Sequence, residues 1–160
     1  FEGSFLERDH ESISSRHIVF RGAPASARAA DDLTEYSREF WLRSVRQRLN
    51  QLLHLRAGWD GYDAPRISYE TAIFVSQILQ DLWRRRLKAP QISPLSSGGL
   101  MVEWLYDAQE LTLEIERPYA VSLIYEDEDG AEMSERVGAD LGSLSARLDA
   151  MIGATQAAAA

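Results

Sequence analysis

The stretch Leu100-Met101-Val102-Glu103-Trp104-Leu105-Tyr106 decides the fold. Leu100, Val102, Trp104 and Tyr106 alternate with Met101, Glu103 and Leu105, a period of two that marks a strand with one buried face. The rhythm returns twice. Leu111, Leu113 and Ile115 alternate with Thr112, Glu114 and Glu116, and Tyr119, Val121, Leu123 and Tyr125 alternate with Ala120, Ser122 and Ile124. Asp107-Ala108-Gln109 supplies the first hairpin turn and Arg117-Pro118 separates the second pair. Asp129-Gly130 is a strong turn signal leading to a weaker strand near Met133 to Val137. A strand at Gln91 to Leu95 belongs at an edge, because Pro94 cannot donate to a ladder on both sides.

Before Pro90 the period is helical. Trp41, Leu42, Val45, Leu49, Leu52 and Leu53 make one apolar stripe, with Arg38, Arg43, Arg46 and Arg48 largely off it. Asp31 or Asp32 is expected to cap this helix near Leu33, and Gly58 to end it. Ser68 caps a second helix, with Glu70 in its first turn and Ala72, Val75, Ile78, Leu79, Leu82 and Trp83 on its buried side. Asp140 caps a last, short helix presenting Leu141, Leu144, Leu148 and Met151. Helices followed by a run of strands indicate α+β: two N-terminal helices on an antiparallel meander of three to five strands, with a short C-terminal helix. Residues 1–30 read as an arm or linker, with a weak strand at Ile18-Val19-Phe20 and a small-residue run from Gly22 to Ala30. Residues 31–153 read as one domain, and 154–160 as a disordered or vector-derived tail.

Composition narrows the function classes. With 45% apolar residues the chain can fill a core. The absence of cysteine excludes disulfides, thiolate metal sites and cysteine nucleophiles, and fits a cytoplasmic location. No apolar run approaches the roughly 20 residues of a membrane span. The net charge of −8 is unevenly spread: residues 1–88 carry 14 Lys+Arg against 12 Asp+Glu, residues 89–160 only 3 against 13. The acidic half should repel phosphates and attract a basic partner.

Signatures of nucleotide-binding loops, zinc proteases and nucleophile elbows are missing, and His10, His17 and His54 are scattered. The carboxylates are the strongest chemical candidates. Glu114 and Glu116 share a strand face, and Glu103 placed across from them would gather three acids able to hold Mg²⁺ or Ca²⁺. Alternation alone also places Glu on a solvated face, the simpler expectation. Glu126-Asp127-Glu128-Asp129-Gly130 has the acidity of a calcium loop without its ligand spacing, and reads as an acidic hairpin tip. Arg84-Arg85-Arg86, with Lys88, suits a helix C-terminus, where cations meet the dipole. Trp59, Asp60 and Tyr62 form either an aromatic platform or a turn whose rings pack over the helix ends; the structural role is expected.

Gly58-Trp59-Asp60-Gly61-Tyr62, the nearby Pro65, Gly98-Gly99 and Glu103-Trp104 together resemble a group of small, largely uncharacterised bacterial proteins. That pattern runs from a helix through the Gly-Trp-Asp-Gly-Tyr segment to a second helix, then a Gly-Gly hairpin and a Glu-Trp strand. The resemblance spans roughly residues 40–126. Asp63 departs from it where a Gly is expected. It implies the architecture and a bacterial origin, and no activity.

The expected function is a non-enzymatic protein-interaction module of antitoxin, immunity or accessory-subunit type. Glu103, Glu114, Glu116, Glu126, Asp127, Glu128 and Asp129 would face a basic protein or a larger complex. No cofactor, metal or membrane is expected. Two rivals are a divalent-metal enzyme using the strand carboxylates and nucleic-acid binding through Arg43, Arg46 and Arg84 to Arg86.

Overall fold

A computed structural model describes residues 25–106, 109–126, 129–138 and 140–159. The order is α1 (Ala25–Leu53), α2 (Tyr69–Leu82), β1 (Gln91–Pro94), β2 (Leu100–Tyr106), β3 (Gln109–Arg117), β4 (Ala120–Glu126), β5 (Glu132–Arg136) and α3 (Gly142–Ala158). The strands form one antiparallel sheet in sequence order, β1-β2-β3-β4-β5. This is the α+β meander that the two-residue rhythm predicts.

The sheet buries one face. Ile92, Val102, Trp104, Leu111, Leu113, Ile115, Val121 and Leu123 pack with Trp41, Val45 and Leu49 of α1, Val75 and Leu79 of α2, and Leu144 and Leu148 of α3. One continuous core therefore links all three helices to the same side of the sheet. Arg48 on α1 donates from Nε to the Ile92 carbonyl at 2.8 Å, tying the first helix to edge strand β1.

Helix α1 differs from expectation at both ends. It begins by Ala25, so Asp31 and Asp32 lie inside it rather than at its cap. The run Ala25 to Ala30 reads as a linker by residue size, yet alanine has the strongest helix propensity, and that preference prevails. The strand expected at Ile18 to Phe20 lies outside the described residues. The helix stops at Leu53, ahead of Gly58, whose φ of +75° instead serves the loop that follows.

Helix α2 starts as expected, with Ser68 accepting the Thr71 N–H at 3.0 Å. It ends at Leu82, whose carbonyl accepts from Arg84 Nε at 3.1 Å, the C-terminal cation role expected of that residue, while Arg85, Arg86 and Lys88 lie further along the chain. Arg84 also reaches α3, donating to the Ser145 carbonyl at 2.9 Å, to Ser145 Oγ at 2.7 Å and to Asp149. Tyr106, at the end of β2, anchors the same loop: its hydroxyl accepts the Lys88 N–H at 2.7 Å and donates to the Arg86 carbonyl at 3.3 Å.

In the meander, Tyr119 corrects the expected alternation. It sits in the β3–β4 turn with φ +66° and is exposed, its ring against Phe74 at 5.0 Å. A register irregularity between Ile115 and Arg117 shifts the strand just before this turn. In α3, Leu144, Leu148 and Met151 are buried as expected, and Asp140 Oδ1 accepts the Gly142 N–H at 2.9 Å. The helix continues to Ala158, so residues 154–158 are helical rather than a disordered tail. Among the described residues no helix is long and apolar enough to cross a membrane.

Candidate functional site

Among the described residues every helix lies on one side of the sheet and none covers the other face, where Thr112 is buried and Glu103, Glu114 and Ile124 are half-buried. Pairing fixes its rows. Gln91, Glu103, Thr112, Ile124 and Ser134 lie side by side across the five strands, and Ser93, Met101, Glu114, Ser122 and Arg136 form the adjacent row. Towards the hairpin tips Leu105 faces Glu110, and Glu126 faces Glu132. The face thus carries Glu103, Glu110, Glu114, Glu126 and Glu132, with two basic residues at one end, Arg136 opposite Ser122 and Arg117 opposite Ala120. Leu105, Met101 and Ile124 lie among the acids; Leu105 is 64% exposed.

The carboxylates do not assemble as the metal hypothesis requires. Glu103 stands opposite Thr112 rather than a carboxylate, and Glu114 stands opposite Met101. Glu116 falls in the irregular end of β3, opposite the approach of Gly99, where an added Cβ would come within 2.8 Å of Glu116 Cα. Among the described residues no group of three or more His, Asp or Glu side chains is placed to hold a metal ion. Glu126 is exposed at the end of β4 and Asp129 lies in the following turn; Asp127 and Glu128 lie outside the described residues.

The acid that does act on Glu103 is Glu110, which the sequence reading did not single out. Partial burial pushes the Glu103 carboxyl above its ordinary value, and the negative charge of Glu110 pushes it further. The two are diagonal neighbours, since Glu103 pairs with Thr112 and Leu105 with Glu110. The pairing of Tyr106 with Gln109 fixes this register, so Gln109 belongs to β3 rather than to the turn expected at Asp107-Ala108-Gln109. Glu110 also accepts a hydrogen bond from Thr112 Oγ1 at 3.4 Å. Glu110, Thr112, Ile124, Glu126 and Glu132 line a shallow hollow of about 270 Å³ near the tips.

The Trp59-Asp60-Tyr62 segment is a stapled loop rather than an aromatic platform. Asp60 Oδ1 accepts the N–H groups of Tyr62 at 2.9 Å and Ala64 at 3.3 Å. The Gly58 N–H closes the loop onto the Ala64 carbonyl at 2.8 Å, and Trp59 Nε1 donates to the Pro65 carbonyl at 3.3 Å. Tyr62 is 86% exposed, so it does not pack over the helix ends, and among the described residues no ring contact joins it to Trp59. Pro65 lies under the β1–β2 turn: a Cβ on Gly98, whose φ is +87°, would come within 2.8 Å of the proline Cγ. Glycine is required there both for its backbone angle and for the closeness of that contact.

The basic residues are dispersed. Arg43 and Arg46 lie on the exposed side of α1, whereas Arg84 is turned to α3 and leaves Arg85 and Arg86 exposed. No family model, curated protein or solved structure matches this chain. The structure thus defines an α+β domain whose sheet has one face packed against the helices and one acidic face that no helix among the described residues covers.

Proposed function

We propose that this chain is a non-enzymatic interaction module whose open sheet face receives a basic protein partner, in an antitoxin, immunity or accessory-subunit role. The observation that carries this reading is the segregation of the helices to one side of the sheet. It leaves Glu103, Glu110, Glu114, Glu126 and Glu132 on a broad surface with Met101, Leu105 and Ile124 between them. Arginine and lysine match both chemistries: their alkyl stems lie along apolar side chains while the charged heads meet carboxylates. A partner cation near Glu103 would also offset the charge of Glu110 and favour the ionised form of Glu103. A cytoplasmic setting accords with the lack of cysteine.

The test is fluorescence anisotropy with a labelled deca-lysine peptide. Binding is expected at about 50 mM salt and should weaken at least tenfold by about 300 mM, as the screening length shortens. Glu103→Gln/Glu110→Gln/Glu114→Gln should weaken it comparably, whereas Glu35→Gln/Glu39→Gln on α1 should leave it unchanged. No binding at low salt, or equal loss in both variants, would overturn the reading.

A further inference from the structure

The outward side of α1 carries a second apolar stripe that the fold does not use. Leu33, Tyr36 and Phe40 follow one another at i, i+3 and i+7, and are 66%, 70% and 62% exposed. That spacing sets them along one helix face, away from Trp41, Leu42, Val45, Leu49 and Leu52, which enter the core. From Ala29 to Phe40 no residue of α1 is buried, and Trp41 is the first core residue after them. Three large side chains in one exposed stripe are a feature of contact surfaces rather than of a solvated helix.

Charge along the same helix is divided. Residues 31–40 contain Asp31, Asp32, Glu35 and Glu39 with one arginine, Arg38; residues 41–50 contain Arg43, Arg46 and Arg48 and no acid. Arg38 is turned over the Trp83 ring, and Arg48 is bonded to the β1 backbone and Gln51. Glu35, Glu39, Arg43 and Arg46 are exposed and join no ion pair among the described residues. A helix acidic in one half and basic in the next is complementary to itself when reversed.

The geometry points to an antiparallel pairing of α1 with α1 of a second copy of this chain, about a two-fold axis level with Phe40. In that register Phe40 meets the partner's Phe40, and Glu39, which flanks the stripe, meets the partner's Arg43. The Phe40 contact lies on the axis and the Glu39–Arg43 contact occurs twice, as an isologous interface requires. The reverse, parallel arrangement sets acid beside acid and base beside base. The pairing buries the Leu33-Tyr36-Phe40 stripe and leaves the acidic sheet face free, so it stands independently of the proposed function.

Sedimentation equilibrium of the full chain tests it, with circular dichroism to confirm that each variant is folded. A concentration-dependent dimer is expected, and Phe40→Glu should give a monomer. Glu39→Arg and Arg43→Glu should each weaken the dimer at least tenfold, and the two together should restore it. The chain has no cysteine, so Phe40→Cys should link two copies on mild oxidation without competition. Asp32→Cys should not, because eight residues place it about 12 Å along the helix from the axis. A wild-type monomer at 200 µM, a dimer indifferent to Phe40→Glu, a swap weaker than either single change, or linkage through Asp32→Cys in place of Phe40→Cys would each overturn the pairing. A monomer whose Tyr36 and Phe40 are shielded by another segment of its own chain would do so as well.

Discussion

The two faces of β3 share one backbone and have opposite fates. Leu111, Leu113 and Ile115 are at most 1% exposed, while Glu110 is exposed and Glu114 half-buried one residue away. The first set belongs to the core that the sheet shares with the helices; the second lies on the face that no helix among the described residues covers. Packing fixes the first face, so its residues are replaceable only at large cost to stability. Solvation is enough for the second, so its chemistry is free to serve a partner. A one-residue slip in register would exchange the faces, which is why the alternation is so strict here.

The largest effect should come from the packed face. Trp104, 1% exposed at the centre of β2, fills the space between sheet and helices. Trp104→Ala should cost about 3–5 kcal/mol in chemical denaturation. A loss below about 1 kcal/mol would mean that the helices do not cover this face. A conservative change on the open face should do far less. Glu103→Gln should alter stability by no more than about 0.5 kcal/mol, as a surface substitution does.

The sign of that smaller effect sharpens the contrast. Burial, then Glu110, raises the Glu103 carboxyl above its ordinary value of 4.5, so the folded chain holds this proton more tightly than the unfolded one. The associated stability is present below pH 4.5 and is lost as pH rises through the raised folded value. Wild type and Glu103→Gln should therefore melt alike near pH 4, with the variant slightly ahead at pH 7. A variant less stable than wild type at pH 7 would mean that the carboxylate is held by a favourable partner instead.

Local chemistry made much of this legible before any coordinates. Strands with one wet face must alternate, and Leu100 to Tyr106 and Leu111 to Ile115 do. Ser68 could be read as a cap because a cap acts on the residues that follow it directly. What escaped was decided at a distance or by competing preferences. Arg84 reads as a helix-end cation and does meet the Leu82 carbonyl, but only the fold shows Ser145 beside it, 61 residues on. Glu110 was missed because its closeness to Glu103 depends on strand register rather than on spacing along one strand. The start of α1 was missed because small residues suit both a linker and a helix, and Ala25 to Ala30 took the latter. Tyr119 kept the alternating rhythm but was claimed by the turn.

Reversing the charge of the open face tests the central claim most directly. Glu103→Lys/Glu110→Lys/Glu114→Lys should fold with an unchanged circular dichroism spectrum, lose affinity for deca-lysine and gain affinity for a labelled deca-glutamate peptide. A folded variant that still binds deca-lysine as wild type does would show that the acidic face is not where a basic partner docks.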